Sequence, residues 1–276
     1  MGMKNIAIIG HGYVGKAVEY GFQTQWVKQT LIDPALYGNS LSDLRGTRVD
    51  VAFVCVPTPM GEDGSINSSI VEQTVRDLSA ITTGLIVIKS TVVPSVVAEL
   101  SESTPQVIYN PEFLTEKNAL DDFVNPPMHV FGGEKGATAK LEEIYKEHSR
   151  CKPCQAYHMT AMEASFVKYG INSFLATKVL WMNQFQDLCD NWHAKYNVVA
   201  NAIGSDARIG HSHMQVPGPD GRKGYGGACF PKDTKAFSHF SEGMFTVLDE
   251  VIRKNNEYRS EYELDDREKE QKVVYI

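Results

Sequence analysis

Ile6–Gly15 reads IAIIGHGYVG, and its reading decides the fold of the first half of the chain. An apolar run that stops at a glycine suits a strand buried on both faces of a parallel sheet. Gly10, Gly12 and Gly15 then follow at the spacing G-x-G-x-x-G. In a strand–turn–helix setting the first glycine makes the tight turn, the second lets backbone approach a pyrophosphate, and the third lets helix pack closely on strand. The helix that starts here points its first N–H groups at the phosphates. Asp33 stands at the end of the next strand candidate, QTLID, which completes the context the motif requires. Its carboxylate would accept from the adenosine ribose hydroxyls and repel a 2′-phosphate, so NAD is expected rather than NADP.

Outward from this turn the pattern repeats. NIAIIG, QTLID, DVAFVCVPT, LIVIKST, QVIYN, HVFGG and QAYHM are strand candidates, separated by helical stretches such as SSIVEQTVRDLSAI with Ser68 or Ser69 as its N-cap. The alternation predicts a Rossmann-type, doubly wound α/β domain with a mainly parallel sheet over residues 1–157. Residues 158–276 change character and predict an all-helical domain. Apolar residues at helical spacing from Ala161 to about Trp192 predict one long helix. A second is expected to start near Met244 and run through VLDEVIRKNNEYRSEYELDDREKEQK, its charged end solvated.

The formal charge of −7 argues against a nucleic-acid-binding surface, and no apolar run approaches the roughly 20 residues needed to cross a bilayer. The opening MGMKNIAIIG lacks the apolar core and cleavage site of a signal peptide, and Ile6 departs from the myristoylation pattern. A cytoplasmic protein is expected. Five cysteines, an odd count, are read as reduced thiols. Cys151 and Cys154 form CKPC without a second such pair, so no metal site is expected.

Seven motifs then occur in order: GHGYVG, CVPTP (55–59), KSTVVP (89–94), NPEFLTE (110–116), KYGIN (168–172), DARIG (206–210) and GYGGACFPKD (224–233). The series resembles the nucleotide-sugar dehydrogenases, from the first strand to about residue 260. The resemblance implies oxidation of the primary alcohol of UDP-glucose or a related nucleotide sugar to the uronate, with two NAD reduced per turnover. It further implies a homodimer and a role in polysaccharide biosynthesis. In that family a second α/β domain follows the helical one. The sequence stops where it would begin, so a shortened member is expected.

Such chemistry needs a nucleophile to convert the intermediate aldehyde into a species that can lose hydride again. Cys229 is the candidate, forming a thiohemiacetal and then a thioester. Gly226 and Gly227 would let the chain pass close to the sugar, and Lys232 would favour the thiolate. Lys168 and Asn172, four apart on one helix, share a face. By resemblance Lys168 stabilises the oxyanion, Asn172 holds the sugar, Asp233 assists water or proton steps, Glu112 serves acid–base steps and Thr91 holds a catalytic water. The resemblance also places NAD along Tyr13, Val14, Val56, Thr58, Thr91, Glu116 and Lys232. It lines the sugar site with Glu112, Phe113, Leu114, Tyr225 and Gly226, and Arg208 is similar to an arginine that reaches a neighbouring subunit's substrate.

Two departures stand out. Pro127 and Met128 occupy the place of a usual Pro-Asp-Arg, and the loop VPGPDGRKGYGG is longer than usual. Its Arg222 and Lys223 suit phosphate oxygens and are expected to grip the diphosphate. Two rival readings remain: a two-electron hydroxyacid dehydrogenase, which would need no cysteine, and an inactive NAD-binding relative with an assembly role.

Overall fold

The computed structural model describes residues 2–61, 63–115 and 117–275. The chain folds as two compact units, one of Met1–Thr58 and Asn67–Lys168, the other of Pro59–Ile66 and Tyr169–Ile276.

The first unit is built from β1 (Lys4–Ile9), α1 (Tyr13–Gly21), β2 (Val27–Ile32), α2 (Pro34–Tyr37), β3 (Val51–Val54), α3 (Ser69–Ser79), β4 (Leu85–Ile88), α4 (Pro94–Ser103), β5 (Val107–Tyr109), α5 (Ala119–Val124), β6 (Met128–Gly133), α6 (Lys135–His148) and β7 (Gln155–Met159). All seven strand candidates form strands. They make one sheet in the order β2-β1-β3-β4-β5-β6-β7, parallel throughout except for the antiparallel pair β5–β6.

Period-two alternation along the central strands feeds two cores. Ala7, Ile9, Ala52, Val54, Ile86 and Ile88 face Val71, Val75 and Leu78 of α3 and Val97 and Leu100 of α4. Ile6, Ile8, Val51, Phe53, Leu85 and Val87 face Val18 of α1, Phe123 of α5 and Leu141 and Ile144 of α6. Both faces are covered, which is why VAFV and LIVI are apolar at every position and wholly buried. The unit is a doubly wound, Rossmann-type α/β fold.

The long helix α7 (Ala161–Asn191) is continuous, and the division between units falls within it, after Lys168. The second unit continues with α8 (Tyr196–Gly204), α9 (Phe230–Phe240), α10 (Thr246–Arg259) and α11 (Asp266–Glu270). Met182 and Cys189 of α7 pack on Tyr196 and Ala200 of α8. Ala176 and Leu180 pack on Tyr225 and on Val251 of α10.

The charged C-terminal stretch differs from its expected form. The helix stops at Arg259 and restarts as α11, where Asp265 and Glu268 cap each other's backbone N–H groups. Most of its charged end is solvated as expected, with Asp266, Arg267, Lys269 and Glu270 exposed, but Glu268 has no exposed surface and Arg259 only 1%. Each is the other's counter-ion, Nη2 to Oε1 at 2.8 Å, which is how two charges tolerate burial.

Candidate functional site

The glycine turn sits where β1 hands over to α1. Gly10 has φ +86°, and a Cβ there would lie 2.6 Å from the Cys55 carbonyl oxygen. A Cβ on Gly15 would overlap the Gly10 carbonyl oxygen, so helix and turn meet without room for a side chain. Gly12 is different, since a Cβ there would meet nothing within 4 Å. Packing inside the protein therefore accounts for the first and last glycines, and the middle one leaves open space over the helix start. No side chain caps α1 and its first turn holds no acidic residue. A diphosphate fits that cradle in shape and sign.

Asp33 follows β2 and caps α2. Its Oδ2 accepts from the His11 N–H at 2.8 Å, and its Oδ1 from the N–H groups of Ala35 and Leu36 at 3.1 Å each. These backbone bonds, His11's first, hold its carboxyl below the usual range, so it stays an anion with acceptor capacity to spare. His11, which no sequence motif singles out, is buried and joins Glu19 (Nε2 to Oε2, 2.8 Å) to the Tyr37 hydroxyl (Nδ1 to OH, 2.7 Å). The only signal was an imidazole inside the glycine motif.

Val56, Thr58 and Thr91 lie just beyond β3 and β4, as Gly10 and Asp33 lie beyond β1 and β2. All are thus at the carboxyl ends of strands flanking the β2-β1-β3 reversal, where open α/β sheets bind ligands. Val14 lies in the first turn of α1, and the Tyr13 hydroxyl donates to the Thr115 carbonyl. Glu116 lies outside the described residues.

In the same unit, the NPEFL turn closes on Lys168. The ammonium donates to the Glu112 carbonyl oxygen at 2.6 Å and to Glu112 Oε1 at 3.0 Å. It also lies 5.6 Å from the centre of the Phe113 ring, and Glu112 Oε2 accepts from the Leu114 N–H at 2.7 Å. Lys168 is 3% exposed, so it does not snorkel to solvent.

Beneath this turn, Asn110 accepts from Lys89 Nζ at 3.0 Å and from the Tyr145 hydroxyl at 2.8 Å. Burial pulls the Lys89 ammonium down to about 8 from an ordinary 10.5. Between those values the unfolded chain binds more protons than the folded one, so stability rises with pH across the window. Chemical denaturation should show wild type gaining on Lys89→Met by on the order of 3 kcal/mol between pH ~7.5 and ~10.5. A difference that stays flat would show that the amine does not titrate there.

In the second unit, Asp233 gathers two partners. Its Oδ2 accepts from Asn172 Nδ2 at 2.6 Å and its Oδ1 from Lys232 Nζ at 2.5 Å, with all three residues buried. Lys232 is thus held by a carboxylate. Cys229 is the N-cap of α9, half-buried and unbridged, and its carbonyl accepts from the Asp233 N–H at 2.8 Å.

The remaining expected residues have other surroundings. Gly226 has a packing reason within the protein: a Cβ there would overlap Arg259 Nη2. Tyr225 is buried, its N–H and C=O both bonded to the Asn255 side chain. Arg208 is exposed and forks onto Asp206, Nη2 to Oδ2 at 2.6 Å. Arg222 donates to the Glu263 carbonyl at 2.7 Å and Lys223 pairs with Asp187, so both cations of the long loop have partners within the chain.

All five cysteines are unbridged, and Cys151 Sγ donates to the Phe123 carbonyl at 3.1 Å. Among the described residues no group of three or more His, Cys, Asp or Glu could hold a metal, and no helix is long and apolar enough to cross a membrane.

Fold and glycine turn together define a Rossmann-type dinucleotide-binding protein. Residues 37–149 match the NAD binding domain of the UDP-glucose/GDP-mannose dehydrogenase family, and residues 162–257 match its central domain. The chain belongs to that family. It is 29% identical to UDP-glucose 6-dehydrogenase TuaD of Bacillus subtilis over 93% of this chain and 64% of the relative. It is 34% identical to a UDP-glucose 6-dehydrogenase of Rickettsia bellii over 75% of this chain and 49% of the relative. The structure of a UDP-glucose dehydrogenase from Pyrobaculum islandicum superposes with a TM-score of 0.77 at 29% identity, covering 92% of this chain and 68% of that one. The chain thus spans about half to two thirds of the length of these relatives.

Proposed function

We propose that this chain is an NAD-dependent nucleotide-sugar 6-dehydrogenase that converts the primary alcohol of UDP-glucose, or a close relative, into the uronate. The observation that carries the reading is the half-buried Cys229 at the start of α9, one turn from the buried Asn172–Asp233–Lys232 cluster. Gly10, Gly12, Gly15 and Asp33 hold NAD, which supplies the hydride acceptor for both oxidations.

The chain's own residues supply the rest. Glu112, directly or through water held by Thr91, takes the hydroxyl proton. The Cys229 thiolate adds to the aldehyde carbon, and the Lys168 ammonium stabilises the oxyanion that forms there. After the second oxidation the thioester is cleaved by water, with Asp233 assisting, which frees the thiol and leaves the carboxylate. Overall one alcohol, one water and two NAD+ give one carboxylate, two NADH and three protons.

A second copy of the chain is the expected partner. Phe174, Trp181 and Leu188 recur every seven residues along α7 and are all exposed, as an apolar helix seam would be. Sedimentation at the mass of a single chain would count against that pairing.

The activity is tested by counting NADH released per sugar across a panel of nucleotide sugars. Two per UDP-glucose supports the reading. One would favour a two-electron hydroxyacid-type enzyme, and none on any sugar an inactive relative.

A further inference from the structure

The buried carboxylate of Glu268 lies beneath the turn that carries the candidate nucleophile. Its Oε1 accepts from the Gly227 N–H at 3.1 Å, from Arg259 Nη2 at 2.8 Å and from the Tyr275 hydroxyl at 2.7 Å. Its Oε2 accepts from the Asp265 N–H at 2.9 Å and lies 4.0 Å from Arg222 Nη1. Four donors satisfy this fully buried carboxylate, which favours a single conformation for it.

The same guanidinium reaches the turn from below. Arg259 Nη1 donates to Asp220 Oδ2 at 2.7 Å, while Nη2 fills the space that a side chain on Gly226 would need. Gly227 has φ +81°, so the chain reverses there before α9 begins. Cys229 follows two residues later as the helix cap. Where that helix starts, and so where the sulfur stands, depends on where the Gly226–Gly227 turn rests. Glu268 and Tyr275 lie outside the two spans that match the family models, which end at residue 257.

We propose that Glu268 is a positioning residue for Cys229: with Arg259 it fixes the Gly226–Gly227 turn, and through it the thiol, for attack on the sugar aldehyde. Its role is separate from hydride removal from the alcohol. The inference rests on the reading of Cys229 as nucleophile and makes a selective demand. Loosening the turn should slow the thiol-dependent oxidation and spare the first one.

The test uses the full chain and compares wild type with Glu268→Gln, which keeps the shape and removes the charge facing Arg259. In single-turnover NADH formation on UDP-glucose, the first equivalent is expected within about twofold of wild type and the second slowed at least tenfold. Alkylation of Cys229 by iodoacetamide, read by peptide mass, is expected to change at least fivefold in the absence of substrate and NAD. Equal slowing of both equivalents, or unchanged second-step and alkylation rates, would overturn the proposal.

If wild type releases no NADH, the parent reading fails on its own. The alkylation comparison then still decides whether Glu268 places the thiol. Should Glu268→Gln not fold, Tyr275→Phe removes one donor from the same oxygen. It is expected to show the same selective slowing, about threefold, and wild-type behaviour there would overturn the proposal equally.

Discussion

Cys229→Ala is expected to fold normally and to stop at no more than one NADH per sugar, with multiple-turnover rate down by ~10⁴-fold or more, the scale on which loss of a nucleophile acts. The side chain is half-buried at a helix cap, so its removal opens no core cavity and thermal unfolding should shift little. Without the sulfur, the aldehyde has no covalent route to a second oxidation. An Ala variant that still releases two NADH per sugar would remove Cys229 from the chemistry.

The second large effect is expected at Lys168. Lys168→Met keeps the length and apolar stem of the side chain and removes the ammonium that binds Glu112 twice. Two losses should follow. Turnover falls by about 10²- to 10³-fold, as for loss of one oxyanion donor. Stability falls by about 3 kcal/mol or more, because a carboxylate is left in a buried setting without its cation. The double variant Lys168→Met/Glu112→Gln separates the two. Neutralising the stranded carboxylate should return most of the stability, measured by urea denaturation, and none of the turnover. Recovery of activity alongside stability would reduce Lys168 to a structural ion.

The parts of this molecule that are legible in its sequence are those with a local period or a rigid spacing. VAFV and LIVI are apolar at every position because both sheet faces are covered, and that condition is written residue by residue. The glycine turn is equally plain, since Gly10 and Gly15 are demanded by backbone atoms a few residues away or on the adjacent strand. The 31-residue α7 shows in its apolar spacing.

Contacts between distant residues leave no such trace. Lys168 meets Glu112 across 56 residues and Asn172 meets Asp233 across 61, and only the family resemblance puts those names together. The stretch ELDDREKE has the composition of a solvated tail, and nothing local says that Glu268 turns inward to a guanidinium nine residues earlier. The packing reason for Gly226 is hidden for the same cause: the space beside it is filled by Arg259, far along the chain. His11 escapes notice because its partners, Glu19 and Tyr37, lie on two other elements.

The claim on which the mechanism stands is a covalent bond between the Cys229 sulfur and the sugar's C6. Asp233→Asn, expected to slow thioester hydrolysis, should be mixed with UDP-glucose and NAD, quenched in acid and digested. The Cys229 peptide is predicted to carry the mass of the nucleotide-sugar acyl group, removed by hydroxylamine and absent without NAD. Two NADH released per sugar, with the Cys229 peptide unmodified at every quench time, would contradict the account.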